Sequence, residues 1–140
     1  MKKGYWISLF LLILFFTFVF LALNDIKNTK ERGYIYTKYD IFSYYFNTSS
    51  VIKSVPRISN DYFFTGDGII DRGFRDGSVT FCSINDWNKA YQQLREYTDK
   101  LDLPVYYGNP KLRDDAQYLQ IYKYDNCLYI SYSENYAVSH

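Results

Sequence analysis

A stretch without charge and almost wholly apolar stands near the start of the chain, and apolar and polar residues are interspersed over the rest of it. From Tyr5 to Leu23 the segment YWISLFLLILFFTFVFLAL holds nineteen residues without a charge, directly after Lys2 and Lys3. As a helix rising about 1.5 Å per residue it reaches about 28 Å, close to the roughly 30 Å hydrocarbon core of a bilayer. Phe, Leu and Ile occupy every side of such a helix, which argues against a soluble core helix with one buried face. Cleavage after Ala22 would put bulky Phe20 at the −3 position, so the segment reads as a retained anchor rather than a removed signal peptide. Tyr5 and Trp6 fall at its N-terminal edge, where amphipathic rings settle at headgroup level.

Orientation is set by few charges. Lys2 and Lys3 with the amine stand against Lys27, Lys30 and Arg32, nearly a tie by the positive-inside rule. A short tail carrying its charges against the span is the pattern of an uncleaved signal anchor. The expected arrangement is a single pass of the inner (cell) membrane, with the C-terminal domain periplasmic or otherwise extracytoplasmic. Residues 1–23 form the anchor, 24–33 a polar tether or frayed helical continuation with Gly33 as its stop, and 34–140 one soluble domain.

Within that domain, Tyr34 to Asn47 is aromatic and β-branched enough for a strand, yet Ile41, Phe42, Tyr45 and Phe46 also fit a helical face. Both readings stay open for it. Asp76-Gly77, between Ile69–Arg75 and Ser78–Ile84, predicts a β-hairpin turn. A helix is predicted from Asp86 to Leu101, with Trp87, Ala90, Tyr91, Leu94, Thr98 and Leu101 on one side. Ser83 or Asn85 is expected to cap it, Glu96 and Lys100 form an i,i+4 pair, and Pro104 forbids continuation. Leu103–Tyr107 follows as a short strand ended by Gly108-Asn109-Pro110.

A second hairpin is predicted from Tyr118–Tyr124 and Cys127–Ser133 around Asp125-Asn126. Pairing Tyr124 with Cys127 puts Leu119, Ile121, Leu128, Ile130 and Tyr132 on one face, with Lys123 at the turn end. The other face carries Tyr118, Gln120, Tyr122, Tyr124, Cys127, Tyr129 and Ser131. The aliphatic face is the partner the amphipathic helix needs. The fold class that follows is α+β, an N-terminal transmembrane helix followed by a mostly antiparallel sheet covered by one main amphipathic helix.

Charge narrows the partners. Setting aside Lys2 and Lys3 from 16 basic residues leaves 14 against 15 acidic ones, a net charge of −1 beyond the anchor. A near-neutral domain lacks the clustered basic surface that nucleic acid requires. Cys82 and Cys127 both follow the anchor, and in an exported chain such a pair is expected to form a disulfide. That bond would close a loop of about 45 residues, worth up to roughly 4 kcal/mol in the chain-entropy model. Two Cys and one His, His140, do not supply an ordinary zinc set, and no metal or cofactor is expected.

The chemistry-bearing residues form few patterns. Asp67, Asp71 and Asp76 lie close in sequence to Arg72 and Arg75, but Ile69 and Arg72 occupy positions that an EF-hand reserves for a ligand and a glycine. The two arginines remain candidates for gripping a carboxylate or phosphate on a partner. Asn47-Thr48-Ser49 matches a glycosylation acceptor, a short pattern of low specificity. General-base catalysis has little support, because the one histidine is the last residue shown, and no catalytic residue is assigned. Asp114-Asp115 is a charge pair in a loop.

Tyrosine is the distinctive residue, with 17 in the chain. It offers a large contact area at low entropic cost and a hydroxyl that fixes orientation. Tyr118, Tyr122, Tyr124 and Tyr129, with Arg72 and Arg75, are therefore the expected partner-binding residues. The expectation is a membrane-anchored binding domain for another protein, residues 5–23 lying in lipid; an immunity-type inhibitor of an incoming toxin has this size and address. The rivals are a membrane-tethered envelope enzyme using Asp and Tyr groups, and a structural subunit packing through its anchor. The anchor has no small-xxx-small motif to support the last.

Overall fold

The computed structural model describes residues 2–66, 74–108 and 114–135. The anchor and the predicted tether form one helix, α1 (Lys2–Glu31). Tyr5–Glu31 is long and apolar enough to cross a membrane, and none of its apolar window is buried by the rest of the protein. It is no core helix. It ends in a Schellman motif: Tyr34 N donates to Thr29 O and Gly33 N to Lys30 O, with Gly33 and Tyr34 at φ 68 and 61. Gly33 is thus the stop that the sequence marks.

The ambiguous aromatic segment divides between both readings. It forms β1 (Ile35–Tyr36) and then α2 (Ile41–Asn47), followed by α3 (Ser50–Ser54), which Ser49 caps by accepting from Ile52 N. The Asn47-Thr48-Ser49 triplet is used internally, with the buried Thr48 hydroxyl 2.9 Å from that of Tyr36. Strands β2 (Asp61–Thr65) and β3 (Phe74–Cys82) come next, then α4 (Trp87–Thr98), β4 (Val105–Tyr107), β5 (Gln117–Tyr124) and β6 (Cys127–Asn135). The six strands form one sheet in the order β1-β2-β3-β6-β5-β4, antiparallel except for the β4–β5 pair.

The Asp76-Gly77 turn is a correction. Both residues lie inside β3, where Asp76 pairs with Ser133 and Gly77 with Tyr132. A type I′ turn needs left-handed backbone at both central residues, whereas Gly77 is not left-handed. The long ladder with β6 overrides the local turn signal. Gly66, at φ 136, follows β2 so near to β3 that an added Cβ would come within 3.0 Å of the Asp76 carbonyl oxygen.

The second hairpin has its expected register, Tyr124 against Cys127 and Ile121 against Ile130, and Asp125 and Asn126 take φ 48 and 59 as a two-residue turn requires. Its aliphatic face joins Tyr36, Phe64, Val79 and Phe81 in one core with Ile52 of α3 and Leu94 of α4. The α4 stripe buries Ala90, Leu94 and Thr98, while Tyr91 stays exposed. Asp86, rather than Ser83 or Asn85, caps α4 by accepting from Lys89 N at 3.0 Å. Glu96 accepts from Gln92 Nε2 on the solvent side. Tyr97 ties α4 to α3, donating to Val51 O at 2.7 Å. The core residues of α2, α3 and α4 all meet the same face of the sheet.

Candidate functional site

The opposite face of the sheet has no helix against it among the described residues, and it carries the predicted tyrosines. Alternation along β5 and β6 puts Tyr118, Tyr122, Tyr124 and Tyr129 there, joined by Tyr106 from β4 and by Phe63 and Thr80 from β2 and β3. Depth divides them. Tyr118 is buried at 3% exposure, edge-on to Tyr106 with centroids 6.0 Å apart, so it supports the face rather than offering contact area. Tyr106 in turn donates to Asp115 Oδ2 at 2.6 Å, which gives that carboxylate a structural partner.

The accessible tyrosines gather at the hairpin tip. Tyr122 and Tyr129, directly opposite across the strands, stack at 5.1 Å with planes 5° apart. Tyr124 is 67% exposed and meets Tyr129 edge-on at 6.4 Å. Burial holds the Tyr122 phenol above its ordinary range, and the adjoining Tyr129 pushes it the same way. The Tyr122 hydroxyl is therefore a neutral donor and acceptor at physiological pH.

The tip is braced covalently. Cys82 of β3 and Cys127 of β6 are joined as a disulfide with Cα atoms 4.3 Å apart, the spacing of a close cross-strand pair. The bond fixes the hairpin turn to the strand end that leads into α4. This end is opposite the one where Gly66 N bonds to Tyr34 O, just past α1. Beside it, Arg57, Asn60, Asp61, Ser83, Asp86 and Lys89 line an open polar cleft. Its carboxylates are already engaged, since Asp61 accepts from Ser83 Oγ at 2.8 Å and Asp86 caps α4.

Thr80 is the residue on this face that no sequence pattern announces. Its hydroxyl is buried without a hydrogen-bond partner among the described residues, between Phe63 and Tyr129 in register. A buried, unpaired hydroxyl costs about 1–3 kcal/mol.

Of the remaining expected site residues, Arg72 lies outside the described residues with Asp67, Asp71 and His140. Arg75 belongs to β3, its backbone paired with Glu134, at the other end of the sheet from the tyrosine tip. No group of three or more metal-ligating side chains occurs among the described residues. No family model, curated protein or solved structure matches the chain.

Proposed function

We propose that this is a single-pass membrane protein whose α+β domain stands outside the cytoplasm and binds another protein through the tyrosines of its hairpin tip. The observation that carries this reading is the accessible Tyr122–Tyr124–Tyr129 group on a sheet face that none of the described helices covers, braced by a disulfide. Rigid aromatic side chains give up little entropy on binding, and interface cores are enriched in them. The disulfide supports an oxidising compartment, and the uncovered apolar helix supports the anchor. A toxin arriving in the envelope is one partner of this class, in the manner of an immunity-type inhibitor.

The enzymatic alternative draws less support, because the carboxylates of the polar cleft are occupied by Ser83 and by the α4 N-terminus. Replacing Tyr122 and Tyr129 by Ala is expected to abolish partner capture in intact cells while thermal unfolding stays cooperative. Capture at the wild-type level by a folded double variant would overturn the assignment of the face. Activity on an envelope component that survives this change but is lost on Asp115→Asn would favour the enzyme instead.

A further inference from the structure

The helix α2 and the segment before it contact α1 and its C-terminal end at several successive levels. Its Phe42 ring meets that of Phe18 edge-on at 5.0 Å. Ser43 N donates to Asp25 Oδ2 at 2.9 Å, and the buried Ser43 and Thr29 hydroxyls are 2.7 Å apart. Above them Arg32 pairs with Asp40 at 2.6 Å. These contacts step along one side of α1, from within the uncharged stretch to its last turn. Phe18 precedes Leu23, the end of the uninterrupted uncharged apolar run, by five positions, or about 7.5 Å of helix. The domain therefore flanks the anchor below the level at which its apolar stretch ends.

The most exposed residues of α2 are apolar or aromatic. Successive helical positions turn by about 100°, so Ile41, Phe42, Tyr45 and Phe46 share one side while Ser43, Tyr44 and Asn47 share the other. The second side faces inward: Ser43 is buried, and Tyr44 packs on Phe64 of the sheet. On the first side Phe42 lies against the anchor, while Ile41, Tyr45 and Phe46 are 58%, 66% and 71% exposed. Around this stripe are cations and phenols. Lys53 Nζ donates to Tyr45 O at 2.9 Å, over the Tyr44 and Tyr45 rings, and Lys38 lies over exposed Tyr39 at 5.1 Å. An apolar stripe with a lysine and tyrosine rim is the composition of a helix lying in the headgroup region.

We infer that α2 is a second membrane-contacting element, which lies in the interfacial layer of the bilayer with Ile41, Tyr45 and Phe46 in lipid and fixes the domain's orientation to the membrane. The occupant is lipid because the stripe is continuous with the uncovered surface of α1 through the Phe18–Phe42 contact. This inference rests on the anchor reading above. It makes the domain a fixed reader of one side of the membrane rather than a body swinging on a tether.

The test uses the full chain in nanodiscs of phosphatidylcholine and phosphatidylglycerol, with lipid carrying a nitroxide near the top of its acyl chain. Amide broadening is read by NMR, with a water-soluble nitroxide in a parallel sample. The expected result is lipid-dependent broadening at Ile41–Phe46 together with Phe18–Leu23, several-fold greater than at Tyr124 and Tyr129. Broadening of the anchor with α2 as sharp as Tyr124 would overturn the inference and leave the anchor reading standing. An α2 shielded from both nitroxides would also overturn it, in favour of a covering protein or a second copy. Broadening at neither segment would overturn the anchor reading and the inference together.

Discussion

Two groups of exposed aromatic side chains stand at different places on this protein, and they differ in chemistry. The α2 stripe mixes Ile41 and Phe46 with Tyr45, touches α1 through Phe42, and is rimmed by Lys38 and Lys53. The hairpin tip is all tyrosine, stacked ring on ring and cross-linked through Cys82–Cys127. Lipid rewards apolar area without fixed geometry, whereas a protein partner rewards rigid rings with placed hydroxyls. Exposed hydrophobic area alone does not name a partner; what surrounds it does.

The largest expected effect separates the two regions through the disulfide. Replacing Cys82 and Cys127 by Ser should cost up to about 4 kcal/mol, a fall in Tm of roughly 15 °C. Hydrogen exchange should rise at the tip while the Asp25–Ser43 and Arg32–Asp40 contacts keep their protection. Equal loosening of both regions would mean that they are not independent.

Thr80→Val tests the base of the tyrosine face. Removing a buried, unpaired hydroxyl at nearly constant shape should stabilise the domain by about 1 kcal/mol, read by chemical denaturation. A loss of stability would show that the hydroxyl has a partner in solution.

Asp40→Asn bears on the anchor side, with an expected loss of up to about 1 kcal/mol. Burial acts to raise the Asp40 pKa, but hydrogen bonds from Arg32 and Thr37 and the Arg32 charge outweigh it and hold the carboxyl below its ordinary value of 3.8. The sign follows. The contribution is complete above about pH 4 and is lost as pH falls through the lower, folded-state value. An acid titration of wild type and Asp40→Asn should therefore converge only at the most acidic end.

The smallest effect is spectroscopic. With its pKa raised by burial, Tyr122 should ionise at higher pH than a free tyrosine in an alkaline ultraviolet titration. Its stabilising contribution is present below about pH 10 and lost as pH rises through the folded-state value. Tyr129→Phe should move Tyr122 back toward the ordinary range, since the neighbouring phenol is the second cause of the shift.

Much of the fold was legible because its signals are local. The β5–β6 hairpin carries its turn, register and two faces within seventeen residues, Tyr118–Glu134, and α4 carries its stripe and its proline stop. The signals failed where distant pairing decides. Asp76-Gly77 has the composition of a turn, yet β6, more than fifty residues further along, holds it extended. The short strand β2 is bracketed in sequence by Ser59-Asn60 and Gly66-Asp67-Gly68, but its place in the sheet is set only by pairing with β1 and β3. Alternation assigned Tyr118 to a face but could not give its depth, which comes from Tyr106 on a neighbouring parallel strand. The helical spacing of Ile41, Phe42, Tyr45 and Phe46 was visible too, while the contact of Phe42 with Phe18 of α1 was not.

The most direct measurement compares the two exposed groups in the same cells. A photoreactive phenylalanine analogue is placed at position 124 in one variant and at position 46 in another, and the adducts of the full chain are identified by mass spectrometry. Lipid adducts from position 46 and a discrete protein adduct from position 124, lost on Tyr129→Ala, are expected. A protein adduct from position 46 with none from position 124 would contradict the assignment of both surfaces.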